Sequence, residues 1–208
     1  MGWGVPPQAC TRFCEQPGIQ HVGGTKDPDV ARIVALAPDL VIVDAEENRK
    51  EDHDALVASG LTVWALRIRS VDDVGDQLPP LAARLGVSWH LPALPPPLPA
   101  GRSAFVPIWK RPWMALGAPT YGSSLLAHLG VGNVCEDDGP YPEITLDDVA
   151  ARQPDVVIAP SEPYPFAERH RSELEQVAPT IFVDGKDLVW WGVRTAAALD
   201  RLAERLSA

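Results

Sequence analysis

The chain has 208 residues, 46% of them hydrophobic, and a formal net charge of −10. That length and apolar share suit one large core or two small ones, and they exclude a largely disordered chain. The acid excess would repel a nucleic-acid backbone or an anionic bilayer, so neither is an expected partner, and no run approaches the roughly 20 apolar residues of a membrane span.

The opening Met1-Gly2-Trp3-Gly4-Val5-Pro6-Pro7 holds neither a basic region nor a hydrophobic signal segment. Taken as written, the chain is expected in the cytoplasm; a true start lying upstream would make it extracytoplasmic. Cys10, Cys14 and Cys135 are odd in number, and Cys10 and Cys14 have no second pair or neighbouring histidine to complete a metal tetrahedron. They read as free thiols. Pro6, Pro7, Pro17 and Gly18 leave no complete strand in the first twenty residues, so a first lobe would begin without a leading strand and helix.

Asp27-Pro28-Asp29 supplies an N-cap, a proline suited to a first helical turn and an acidic residue favoured by the dipole, which predicts a helix through about Leu36. A strand over 40–43 follows, then a helix over 51–59 stopped by Gly60, a strand over 62–66, and a helix over 71–85 interrupted by Pro79 and Pro80. Five prolines between Leu91 and Pro99 make a stiff spacer. Beyond it the pattern predicts a strand over 103–108, a helix over 123–129 capped at Gly122-Ser123-Ser124, a helix over 146–152 and a strand over 156–159. A helix over 166–176, a strand over 180–183 and an amphipathic helix over 194–206 close the chain.

Two stretches say nearly the same thing. Ala35-Leu36-Ala37-Pro38-Asp39-Leu40-Val41-Ile42 returns as Ala151-Arg152-Gln153-Pro154-Asp155-Val156-Val157-Ile158, 116 residues later. The strand at Thr62 has its counterpart at Thr180, 118 residues later. Each copy is a helix running into a proline, then a strand apolar enough to be buried on both faces. The expected fold is therefore α/β: two Rossmann-like lobes with mostly parallel sheets facing a central cleft, the first lobe truncated and the inter-lobe helix shortened. The lobes are expected over 1–90 and 102–208, joined by a proline-rich linker over 91–101. One α/β domain that uses a common phrase twice is the alternative.

Aromatic and charged residues gather after the predicted strands, where a cleft would be lined. Trp109-Lys110-Arg111-Pro112-Trp113, Glu162-Pro163-Tyr164-Pro165-Phe166 and the segment from Asp184 through Trp190-Trp191 to Gly192 bring together four of the seven tryptophans. Flat rings lose little rotamer entropy on binding, and Arg111, Lys186 and Arg194 can meet carboxylates or amides at a ligand's rim. A bulky planar ligand suits them. Glu47 and Asn48 follow the strand over 40–43 in the first lobe and are the corresponding candidates there. No glycine-rich phosphate loop, nucleophile elbow or paired-histidine helix is present, and the five histidines are scattered, so no catalytic residue and no bound metal are assigned.

With those segments laid out, the chain resembles the helical-backbone (class III) substrate-binding proteins of ABC transporters, which carry cobalamin, haem and ferric siderophores. The resemblance rests on Val22-Gly23-Gly24-Thr25-Lys26-Asp27-Pro28-Asp29 with the Ala-Pro-Asp-Leu-Val-Ile phrase. It rests also on Tyr121-Gly122-Ser123-Ser124-Leu125-Leu126 with Leu129-Gly130 and Asn133-Val134. The three aromatic segments are similar to a subgroup whose members often lack a secretion signal. The resemblance implies a binding protein for a metal chelate, a cobalamin-like corrinoid or a ferric siderophore or haem, working with an ABC permease and needing no cofactor. The expected ligand contacts are Glu47, Asn48, Trp109, Arg111, Trp113, Tyr121, Glu162, Tyr164, Phe166, Trp190, Trp191 and Arg194, and the resemblance, in which the ligand lies between lobes against aromatic rings, agrees with them. Asp147 matches the acidic permease-docking position of the second lobe, whereas the first lobe has Ala31 there. An intracellular enzyme or sensor on the same fold, and a degenerate relic that binds nothing, are the rival readings.

Overall fold

The computed structural model describes residues 3–94, 96 and 101–207, so the proline spacer expected over 91–101 lies partly outside the described residues. Contacts divide the chain into two compact units, Gly2–Arg67 and Ile68–Ala208. Each is mixed α/β with mostly parallel pairing.

In the first unit the elements run β1 (Ala9–Cys10), β2 (Gln20–His21), α1 (Val30–Leu36), β3 (Val41–Asp44), α2 (Lys50–Ala58) and β4 (Val63–Leu66). β1 pairs with β2 and β3 with β4, both in parallel, as two separate ribbons. The cap of α1 is Asp29, whose side chain accepts from Arg32 N at 3.0 Å, and not the expected Asp27. The Asp27 carboxylate is occupied by the Arg12 guanidinium at 2.8 Å. Among the described residues of this unit, the buried apolar side chains are Val22, Val43, Leu56 and Leu66. Two-stranded ribbons bury little, and that core is correspondingly thin.

The second unit begins with α3 (Val71–Arg84), followed by β5 (Arg102–Phe105), β6 (Pro107–Trp109) and β7 (Met114–Ala115). Next come α4 (Tyr121–His128), β8 (Val131–Asn133), α5 (Leu146–Ala151) and β9 (Val156–Pro160). α6 (Arg171–Leu174), β10 (Thr180–Val183), α7 (Gly185–Val189) and α8 (Thr195–Ser207) complete it. Its sheet has the order β10-β9-β5-β8, parallel throughout, with Val156 to Pro160 wholly buried, as a strand covered on both faces requires. β5 lies between β8 and β9, and Asp155 ties the repeat phrase to it: Ser103 N and Oγ donate to the Asp155 carboxylate at 2.7 and 2.8 Å. No described strand of the first unit stands beside β3 as β5 stands beside β9.

Three expectations change. α3 runs unbroken through Pro79 and Pro80. Its apolar stripe of Val71, Val74, Leu78, Leu81 and Ala82 is buried, and that burial outweighs the two backbone bonds the prolines remove. The same stripe moves the division of the chain: it falls after Arg67, ahead of α3, because α3 packs with α4 and Val71 N donates to Ser124 Oγ at 3.1 Å. Third, α4 starts two residues earlier than predicted, capped by the Thr120 hydroxyl, while Ser123 is inside the helix and accepts from Asn133 Nδ2 at 3.2 Å.

Candidate functional site

The loop over 161–166, which leaves the buried end of β9, is the hub of the second unit's aromatic residues. Its Tyr164 ring meets Trp109, at the end of β6, edge to face with centroids 5.6 Å apart. Four residues further on the loop from β6, Trp113 stacks on Phe166 at 5.9 Å and 6°. Tyr164 and Phe166 are themselves 4.7 Å apart, and both lie against His170. Burial, then the Arg169 and Lys110 cations, push the His170 pKa down, and its Nδ1 accepts from Ala167 N at 3.1 Å. It is held as a neutral ring within the stack.

At the other end of the loop, the Glu162 carboxylate accepts from Trp190 Nε1 at 3.0 Å. Lys186 Nζ and the Arg194 guanidinium lie 5.2 and 5.9 Å from the Trp190 ring centroid. Gly185 opens α7 hard against this loop: a Cβ there would stand 2.3 Å from Glu162 N, so no larger residue fits. Its own N–H donates to Ser161 Oγ at 3.0 Å, which fixes the turn on which Lys186 and Trp190 are hung. Behind them, buried Asp187 accepts from Arg194 at 2.7 Å and from Arg201 at 2.8 and 2.6 Å. Burial alone would raise that carboxyl, and the two guanidiniums more than offset it and hold it below its ordinary value. Arg194 Nε is buried and has no hydrogen-bond partner among the described residues.

The sequence-expected residues therefore fall into three groups. Trp109, Glu162, Tyr164, Trp190 and Arg194 form one continuous row, with Trp109 44% exposed and the others half-buried. Trp113 and Phe166 sit beneath it; Phe166 is core, 3% exposed, and Trp113 packs against that core. Tyr121 is taken out of the rim altogether. As the first residue of α4 it is 4% exposed, and its hydroxyl is bonded to Thr195 Oγ1 at 3.0 Å. Arg111 is exposed with φ +70°, and Trp191 is half-buried next to Trp190. Asp147 is exposed in the first turn of α5, beside a hollow of about 470 Å³ around Asp138, Asp148 and Arg152 that shares no residue with the aromatic row.

In the first unit, Asn48 staples its own loop. Asn48 Oδ1 accepts from Asp44 N and its Nδ2 donates to Thr25 O, both at 3.0 Å. Glu47 is exposed, within 3.5 Å of Thr25 Oγ1. Asp187 and Arg201, which brace Arg194, were missed in the sequence. The periodicity over 194–206 marks the helix that carries Arg201, but nothing local marks Asp187 as buried. No group of His, Cys, Asp or Glu side chains among the described residues is arranged to hold a metal ion, and no described helix is long and apolar enough to cross a membrane.

No family model matches the chain. A vitamin B12-binding protein of Salmonella choleraesuis is 24% identical over 182 residues, covering 74% of this chain and 65% of that protein. A vitamin B12-binding protein of Pectobacterium carotovorum is 22% identical over 222 residues, covering 93% of this chain and 76% of its own length. The chain thus spans just under two thirds of the first of these relatives. Among solved structures, a periplasmic haem-binding protein of Pseudomonas aeruginosa superposes with a TM-score of 0.71 at 18% identity, over 91% of this chain and 80% of that one. The periplasmic vitamin B12-binding protein BtuF of Vibrio cholerae gives 0.65 at 16% identity, over 91% and 82%. The fold is that of the class III substrate-binding proteins.

Proposed function

We propose that this chain, with the fold of the class III substrate-binding proteins, is a non-catalytic binding protein that holds a bulky planar metal chelate, a corrinoid or a ferric chelate, on the aromatic row of its second unit. The observation that carries this reading is the row itself: Trp109, Tyr164, Glu162 and Trp190 joined through one short loop, with Lys186 and Arg194 over the last ring. The exposed Trp109 ring and the half-buried Tyr164 and Trp190 rings offer a planar ligand contact area at low entropy cost, and the two cations meet carboxylates or amides at its edge. The relatives named for vitamin B12 and haem support the ligand class. Delivery to an ABC permease is the associated role, with Asp147 as the docking contact in the second unit. The periplasmic names of the structural neighbours support the extracytoplasmic location over the cytoplasmic one.

Cobalamin, haem and a ferric siderophore, titrated in parallel, test this. A coloured ligand on the row quenches most of the tryptophan emission, and Trp190→Ala weakens the winner by roughly 1 to 3 kcal/mol whereas Trp89→Ala does not. Equal affinities for the two variants overturn the site. Absence of quenching by all three ligands overturns the function and favours the relic reading.

A further inference from the structure

The repeat gives β3 the place in the first unit that β9 holds in the second, but with one neighbour instead of two. β9 lies between β10 and β5, whereas β3 pairs with β4 alone among the described strands. The run Leu40-Val41-Ile42-Val43 has the composition of a strand covered on both sides, yet only Val43 is buried, while the matching Val156, Val157, Ile158 and Ala159 all are. Val41 N donates to Thr62 O at 2.9 Å, so the N–H and C=O groups of Leu40 and Ile42 face the opposite edge. Beyond Ile42 that edge is closed: Asp44 N donates to Asn48 Oδ1 at 3.0 Å, and Asn48 N donates to Asp44 O at 2.8 Å.

In the second unit β5 fills the corresponding edge. Ala104 and Phe105 lie opposite Val156 and Val157. One residue earlier, Ser103 N and Oγ donate to the Asp155 carboxylate, and Asp155 N donates to Ser103 O at 2.9 Å. The counterparts of Asp155, Val156 and Val157 are Asp39, Leu40 and Val41. Asp39 is exposed, and its carboxylate has no hydrogen-bond or ion-pair partner among the described residues. The same acceptor stands at the head of both strands, and only one of them is used.

We propose that the open edge of β3 is a strand-acceptor site, which takes an extended apolar segment of a second polypeptide in parallel, with a serine or threonine opposite Asp39. The N–H and hydroxyl of that residue donate to the Asp39 carboxylate, and the next two residues lie opposite Leu40 and Val41. Main-chain bonds supply the affinity, and the hydroxyl fixes the register. The described strands of this unit are already paired, β1 with β2 and β4 with β3, so the added segment comes from outside them. No lysine or proline within β3 guards its edge against such an addition.

The probe is a synthetic peptide with the sequence of residues 101–108, which carries the serine and apolar residues of β5, added to the full chain. Hydrogen exchange should slow over residues 39–42 when the peptide binds. Asp39→Ala should weaken binding about tenfold, a peptide with alanine in place of its serine should weaken it to a similar extent, and the two changes together should cost no more than either alone. Asp39 is exposed and unpaired, so its replacement leaves the fold intact. Any of four results overturns the proposal: no slowing over 39–42, binding that Asp39→Ala leaves unchanged, slowing confined to 155–158 because the peptide replaces β5, or a free chain already dimeric and protected over 39–42.

Discussion

Glu162 and Trp190, 28 residues apart, are joined by a 3.0 Å hydrogen bond from the indole Nε1 to the carboxylate, which sets the angle at which the Trp190 ring is presented. Glu162→Ala removes that restraint on the indole nitrogen, and ligand affinity should fall about tenfold, the worth of one charge-assisted bond. Glu162→Gln keeps an acceptor in place and should stay within about threefold of wild type. Quenching titrations on the three proteins decide this, and equal losses for Ala and Gln would show that the carboxylate touches the ligand instead of orienting the ring.

Tyr121 gives the second unit a stability that depends on alkaline pH. Burial raises its pKa to about 12, the bond to Thr195 and the Arg194 charge opposing only in part. The unfolded phenol ionises near 10, so between about pH 10 and about pH 12 the unfolded state releases a proton that the folded state keeps. Stability should therefore decline with rising pH across that window by up to about 3 kcal/mol, and no further from this group above it. Tyr121→Phe should flatten that decline in urea unfolding curves. Absorbance titration should show one of the three tyrosines ionising late.

Pro80 is exposed within α3 and denies the helix the backbone bond its position would otherwise make to Asp76 O. Pro80→Ala restores a donor without removing buried surface. A rise in unfolding free energy of up to about 3 kcal/mol is expected, measured by urea or thermal unfolding.

Ala37 and Gln153 occupy the same place in the repeat, and both are left-handed, with φ 45° and 54°. Each ends its helix one residue before the proline that blocks continuation. Ala37→Gly and Gln153→Gly should each raise stability by about 1 kcal/mol by relieving Cβ strain, whereas Ala150→Gly, inside α5, should lower it by a similar amount. Thermal unfolding of the three variants separates the cases.

The repeat shows how much a local phrase can determine. Helix, proline, aspartate and apolar strand were legible twice because each signal acts over a few residues: proline removes a donor, and an unbroken apolar run is soluble only inside a sheet. The strands over 41–44, 63–66, 156–160 and 180–183 and their parallel α/β setting follow from those rules. The aromatic segments were legible for the same reason, since their residues sit in runs just after strands.

What no local rule could decide is which of those side chains remain at the surface. Tyr121 and Trp190 are both aromatic residues within two positions of a glycine, yet the first is buried against Thr195 on α8 and the second stays half-buried with its indole bonded to Glu162. α3 was expected to break at its prolines, and it does not, because a buried stripe supplied by distant contacts with α4 outweighs two lost backbone bonds. Burial and ion pairing depend on residues brought together from far along the chain, as with Asp187 between Arg194 and Arg201. Sequence by itself determined the order and type of most elements and where the aromatic residues cluster; only tertiary packing decided which aromatic rings became core and which stayed at or near the surface.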